Sequence, residues 1–384
     1  MCDGSPRSGL LETLNLIADR VVTLDPSGRV LAPGGISIVA NRIAAVGPPD
    51  ELPPGPTQRL AGHVLLPGLV NTHTHTPMWL FRGLTEDVPR GEWLAGRMRP
   101  LEGRASVEQL RAATLAGCLE LLLNGVTTTA DRYAHMETLV EAVVASGLRA
   151  IVASSLYDGQ HVDEELLDRF GTDPARSRVT AGLGPHATDT CGPDLLRQVR
   201  GLADRRQARV FVHLAQSEAE VQARPGCAAY LEGLGLLAPD VVVAHATYLS
   251  PSEAELVGRR KTAVAHCPSS NAKLEGRVAP IARLRASGAM VGLGTDAACC
   301  NNGMDLFEEM KVAALLNKVA ADDPTALAAA DVLRLATVEG ARAPRAGVAW
   351  RTGTRCDCDG SGTLHTGAVG AARLSSRLFV SIMR

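Results

Sequence analysis

The chain reads as an α/β protein built on a (β/α)8 TIM-like barrel with a small β domain beside it. Three observations carry this. Eight short apolar runs alternate with helical stretches between residues 64 and 296. Six of the ten histidines fall at the C-terminal ends of those runs, where a barrel places its chemistry. The first sixty residues instead show short β-rich runs broken by turn sequences.

That N-terminal segment comes first. LNLIADRVVTL breaks at Asp25-Pro26-Ser27-Gly28, a turn sequence. ISIVANRIAAVG carries Asn41-Arg42 as a tight reversal between two β-rich runs. Pro53, Pro54, Gly55 and Pro56 close the segment. A small β domain is expected over residues 1–62.

The barrel is expected over residues 63–343. Its strand candidates are Val64–Val70, Val126–Asp131, Leu148–Ser154, Val179–Gly184, Arg209–Leu214, Val241–Ala246, Thr262–Cys267 and Met290–Asp296. Helical spacing fills the gaps, as in Val107–Leu123 through Leu110, Leu115, Cys118, Leu119 and Leu122. Leu306–Leu316 behaves likewise through Met310, Ala313 and Ala314. An open doubly wound sheet would want a Gly-rich phosphate turn after the first strand, and Pro67-Gly68-Leu69-Val70-Asn71-Thr72-His73 is not one.

Composition excludes several function classes. A chain of 384 residues suits one large barrel plus a minor domain. The formal net charge of -2 argues against a nucleic-acid binder. No run of 18 apolar residues exists, so no membrane span is expected. The first sixteen residues lack an apolar core of signal-peptide length, and a cytoplasmic location is expected. Nine scattered cysteines read as free thiols, because disulfide frameworks belong to short secreted chains. Neither Cys299-Cys300 nor Cys356-Cys358 has the paired knuckles of a structural zinc site.

The histidines suggest a metal. Residues two apart on a strand point the same way, so His73-Thr74-His75 aims two imidazoles at one point. His213 and Asp296 complete a nitrogen and oxygen set suited to zinc, with iron and manganese as alternatives. His213 alone also reads as a core histidine bonded to a carbonyl, and Asp296 alone as a helix cap. A carboxylate at the end of an apolar strand must be paired or metal-bound, which favours the ligand set.

The motifs PGLVNTHTHTPMWLFRGLTED, GPHA, HLAQSE, AHA, HCPSSNAKL and LGTDAACCNNGMDLFEEM resemble the amidohydrolase superfamily. The branch they are most similar to holds S-adenosylhomocysteine and 5′-methylthioadenosine deaminases, with triazine hydrolases as neighbours. The resemblance spans about residues 14 to 343. It implies a barrel, a composite β-sandwich and one divalent metal ion on His73, His75, His213 and Asp296. It further assigns His245 to the water on the metal and to substrate, and makes Asp296 a proton shuttle. Glu102 matches a residue that holds ribose hydroxyls, and His186 one that contacts substrate near the base. The implied reaction is hydrolytic deamination of an aminated N-heterocycle of adenosine type, such as S-adenosylhomocysteine or methylthioadenosine. The metal lowers the pKa of its water to roughly 7 and supplies hydroxide. The partner expected is a small heterocyclic substrate; homo-oligomerisation is left open.

Two departures matter. The deaminases carry Glu where this chain has Gln216, and an amide cannot deliver a proton as an acid. Glu218 lies two residues on, where the start of a helix should turn it elsewhere. On this reading Gln216→Glu is expected to raise deamination. Ser154 likewise stands where some of these deaminases have arginine. The second departure is the tail over residues 344–384, rich in Gly, Arg and Thr with no strand or helix period. A shifted frame or truncation would explain it and would leave the sandwich incomplete. Two alternatives therefore accompany deamination: loss of another group, such as chloride from a triazine-like ring, and a catalytically weak paralogue.

Overall fold

The computed structural model describes residues 13–39, 42–171, 178–343 and 380–383. The chain divides into two compact units, with a boundary between Pro67 and Gly68.

The small unit is a sheet of β1 (Thr13–Val22), β2 (Val30–Leu31), β3 (Gly34–Val39), β4 (Arg42–Gly47), β5 (Thr57–Pro67) and, from the far end of the chain, β14 (Val380–Met383). Its order is β14-β5-β1-β3-β4, with β2 on β1. The expected turn at Asp25 forms: the Gly28 N–H donates to the Asp25 carbonyl at 2.9 Å, with Gly28 at φ +65°. Leu16, Ala18, Val21, Ile36, Ile38 and Leu65 make its core. β3 and β4 pair antiparallel around the expected reversal, whose Asn41 lies outside the described residues.

The large unit is the expected barrel. Its strands are β6 (Leu69–Thr74), β7 (Val126–Tyr133), β8 (Arg149–Leu156), β9 (Val179–Pro185), β10 (Val210–Leu214), β11 (Val241–His245), β12 (Ala263–His266) and β13 (Met290–Leu293). They pair in sequence order, each parallel to its neighbours. The ends meet in a parallel bridge between Thr74 and Asp296. The Thr72 hydroxyl donates to the Leu293 carbonyl at 2.8 Å, and the Asp296 N–H to the His73 carbonyl at 3.0 Å. Glycine makes this seam possible: a Cβ on Gly294 would lie 2.9 Å from the His73 backbone, and one on Gly292 would lie 2.4 Å from Thr72. Most of these strand residues are buried, so the runs lack alternation.

The structure corrects several boundaries. The first run, expected as one strand over Val64–Val70, is divided: Val64–Pro67 belongs to β5 of the small sheet, and the barrel strand starts at Leu69. One continuous apolar run fed two sheets, so hydropathy alone had no break to show. The helix Val107–Leu123 begins at a capping box of Ser106 and Gln109, as bounded from its period. Yet Leu115 and Leu119 are 46% and 54% exposed, and Leu121 is buried instead. Polar residues such as Glu108, Arg111 and Glu120 are interleaved with apolar ones around that helix, so period could not choose its buried face. The tail showed no strand period, but Val380–Met383 pairs antiparallel with Val64–Pro67 of β5. Residues 344–379, where it was expected to be irregular, lie outside the described residues. Among the described residues, six cysteines are free and no helix is long and apolar enough to cross a membrane.

Candidate active site

The C-terminal ends of the barrel strands surround a cavity of about 510 Å³. His73 is the penultimate residue of β6 and His75 follows the strand, His213 sits on β10, His245 ends β11, and Asp296 follows β13 by three residues. Asp296 and His245 both adopt left-handed backbone, at φ +56° and +73°. That conformation is uncommon outside glycine, and such strain gathers at functional sites.

The nitrogen and oxygen atoms converge. His75 Nε2 lies 3.3 Å and His73 Nε2 lies 3.6 Å from Asp296 Oδ1, and the His73 and His213 Nε2 atoms are 3.3 Å apart. A zinc ion with Zn–N bonds near 2.05 Å has tetrahedral ligand–ligand edges of about 3.3 Å. Edges of that length separate His73 from His213 and His75 from Asp296, as a divalent ion requires, while His213 Nε2 also meets Arg132 Nη2 at 2.7 Å. His245 Nε2 lies 4.0 Å from Asp296 Oδ2 and has no hydrogen-bond partner although it is buried.

Outer groups settle the tautomers. The His75 Nδ1 donates to the Arg132 carbonyl at 2.5 Å, because a carbonyl only accepts; its Nε2 is then a bare lone pair. His245 Nδ1 faces Asn271 Oδ1 at 2.9 Å, with the same consequence. Ser270 donates to Asp296 Oδ2 at 2.6 Å. Burial holds His73 at about 3 and His245 at about 4, so both are neutral at pH 7 and their contacts with Asp296 are not ion pairs. Burial pushes the Asp296 carboxyl up, but the His73, His75 and His245 imidazoles around it outweigh this and hold the group well below the usual range.

The other expected residues line the same cavity. Glu102 accepts a hydrogen bond from the Tyr133 hydroxyl at 2.8 Å. The His186 ring stacks on Tyr157 with centroids 4.6 Å apart, and its Nδ1 meets Thr190 Oγ1 at 2.7 Å. Gln216 lies between β10 and the helix Glu218–Ala223; its backbone N–H donates to the buried Glu220 at 2.9 Å. Glu218 is exposed and turned away, as expected. His266 does not join the cluster: it is buried at the end of β12 without a ring partner.

Four residues escaped the sequence analysis. Ser270 and Asn271 lie inside HCPSSNAKL, where the sequence alone gives them no partner. Arg90 lines the cavity and bonds Gln216 Oε1 at 2.8 Å. Arg132 is a buried arginine on β7 whose Nη2 touches His213. Its signal was available: a cation inside VTTTADRYA, an otherwise buried strand.

A model of the amidohydrolase family matches residues 64–345. The chain belongs to the amidohydrolase family. The matched residues include His73, His75, His213, His245 and Asp296, whose ligand atoms gather as His73, His75 and His213 and as His73, His245 and Asp296. Curated relatives include a 5-methylthioadenosine/S-adenosylhomocysteine deaminase of Syntrophobacter fumaroxidans, 40% identical over 88% of this chain and 81% of the relative. A 5′-deoxyadenosine deaminase of Methanothermobacter thermautotrophicus is 39% identical over 81% of this chain and 76% of its own length. Among solved structures, a zinc-bound adenosine deaminase of Xanthomonas campestris is 32% identical with a TM-score of 0.81, covering 87% of this chain and 80% of that one. A zinc complex of atrazine chlorohydrolase from Arthrobacter aurescens is 25% identical with a TM-score of 0.79, covering 86% and 83%. This amidohydrolase therefore shares both its fold and most of its length with deaminases.

Proposed function

We propose that this chain hydrolytically deaminates an amino-substituted purine nucleoside of adenosine type, with zinc as its ion. The grouping of His73 with His75 and His213, and of His73 with His245 and Asp296, beside a cavity lined by Glu102 supports this best. The names of the relatives point to the same chemistry.

His73, His75, His213 and Asp296 would hold the ion. Bound there, it supplies the Lewis acidity that makes water nucleophilic at neutral pH. The remaining steps belong to side chains. Asp296 keeps Oδ1 toward His73 and His75, which leaves Oδ2 as the oxygen that takes a proton and passes it to departing ammonia. His245 presents a lone pair at Nε2, fixed by Asn271, and orients the attacking water as an acceptor. Glu102, steadied by Tyr133, accepts the ribose hydroxyls. The stacked pair of His186 and Tyr157 provides a wall for the base.

A panel of zinc-loaded assays tests the reading. Ammonia release is expected from S-adenosylhomocysteine, methylthioadenosine or 5′-deoxyadenosine. Chloride release from a chlorotriazine with no ammonia from any aminopurine nucleoside would replace it with the dehalogenase alternative.

A further inference from the structure

The groups around Gln216 decide what its amide can do. Arg90 Nη2 lies 2.8 Å from Gln216 Oε1, and Arg90 Nη1 lies 3.1 Å from Ser217 Oγ. A guanidinium has donors only, so the amide atom facing it must be the oxygen. The NH2 end of Gln216 is then the end left for the cavity, which Gln216 lines. The arrangement is held at both ends. The Gln216 backbone N–H is bound to Glu220 at 2.9 Å. Arg90 Nε is 3.7 Å from Glu275 Oε1, and the other Glu275 oxygen accepts from Tyr248 at 2.9 Å.

We propose that Arg90 is a positioning residue that locks Gln216 as a hydrogen-bond donor to an unprotonated ring nitrogen of the substrate. The proposal rests on the deaminase reading above and narrows its substrate class. Rings that present a bare nitrogen beside the attacked carbon are accepted; rings that carry N–H there meet two donors face to face. The same geometry changes the expectation for Gln216→Glu, which considered position 216 without its neighbour. A carboxylate there would pair with Arg90 in fork geometry, stay ionised, and present lone pairs to the ring nitrogen. An acid at 216 can work only when Arg90 is gone.

The test is a cycle of four zinc-loaded proteins: wild type, Arg90→Met, Gln216→Glu and the double variant. With an adenosine-type substrate, kcat/KM should fall about tenfold in Gln216→Glu, the worth of one good hydrogen bond. It should fall in Arg90→Met through KM. The double variant should recover to or above wild type, with a rate that now declines as pH rises through the new carboxyl's titration. A single Gln216→Glu as active as wild type, or one equally harmful in both backgrounds, overturns the proposal. Two readouts need no turnover. Purine riboside should bind wild type about tenfold more tightly than 1-deazapurine riboside, which lacks the ring nitrogen. Gln216→Glu should raise Tm when Arg90 is present and lower it when Arg90 is methionine. Equal affinities or additive Tm shifts also overturn it. If wild type releases no ammonia from any aminopurine nucleoside, the deaminase reading fails by itself, and binding and unfolding still decide the Arg90–Gln216 pair.

Discussion

Arg132 Nη2 lies 2.7 Å from Nε2 of His213, so a buried guanidinium faces the atom that a metal ion would need. The other hydrogen bonds of this guanidinium go to the Pro185 and His186 carbonyls, and its Nε has none. None of these partners is a carboxylate, and the positive charge is therefore uncompensated by them. An ion held at the cluster must share His213 with it. Arg132→Met should raise zinc affinity about tenfold, the scale of one partly screened charge contact. Zinc retained against a graded chelator, measured by elemental analysis, checks this. Equal retention by both proteins would mean that Arg132 does not oppose the ion.

Ligands and catalytic groups should separate experimentally. His213→Ala and Asp296→Ala remove donors from the cluster and should purify with less than about half an equivalent of zinc. His245→Ala keeps the four donors and should retain its zinc. Its kcat should nevertheless drop about 10²–10⁴-fold, the usual worth of a positioned acid–base group. Zinc loss in His245→Ala would make His245 a ligand in place of one of the four. Asn271→Ala should lie between, with a roughly tenfold lower rate and normal zinc content, because it only orients His245.

Glu102 should act on binding rather than on chemistry. Its carboxylate is steadied by Tyr133 at the cavity wall. Glu102→Ala should raise KM for a ribonucleoside about tenfold. The same change should leave KM for a 2′,3′-dideoxynucleoside nearly unaltered, since that sugar offers no diol. Parallel losses for both sugars would assign Glu102 to folding instead.

Glu309 gives a pH signature away from the site. It is fully buried on the helix Leu306–Ala321, where Asn301 and the Ser269 N–H donate to it. Burial pushes its carboxyl from 4.5 up to about 7. The unfolded chain therefore releases this proton first as pH rises, and stability is lost between about 4.5 and 7. The loss is on the order of 3 kcal/mol at most. Glu309→Gln cannot ionise, so its Tm relative to wild type should be higher at pH 8 than at pH 5. A difference independent of pH would show that Glu309 does not titrate in this range.

His73, His75, His213, His245 and Asp296 were legible in the sequence because each sits at the end of a short apolar run, where strand geometry leaves few directions for a side chain. The barrel was legible for the same reason, since eight buried strands need eight such runs. The fate of Val64–Val70 was not, because two sheets drew on one stretch of apolar residues. Leu115 and Leu119 share the helical spacing yet face outward, because interleaved polar and apolar residues leave that spacing without a phase. Above all, the sequence by itself determined that residue 216 is an amide and not an acid. Only the tertiary structure decided which end of that amide meets the cavity. Arg90 is 126 positions away, and hydrogen-bond polarity is a property of the pair once folding has brought it together.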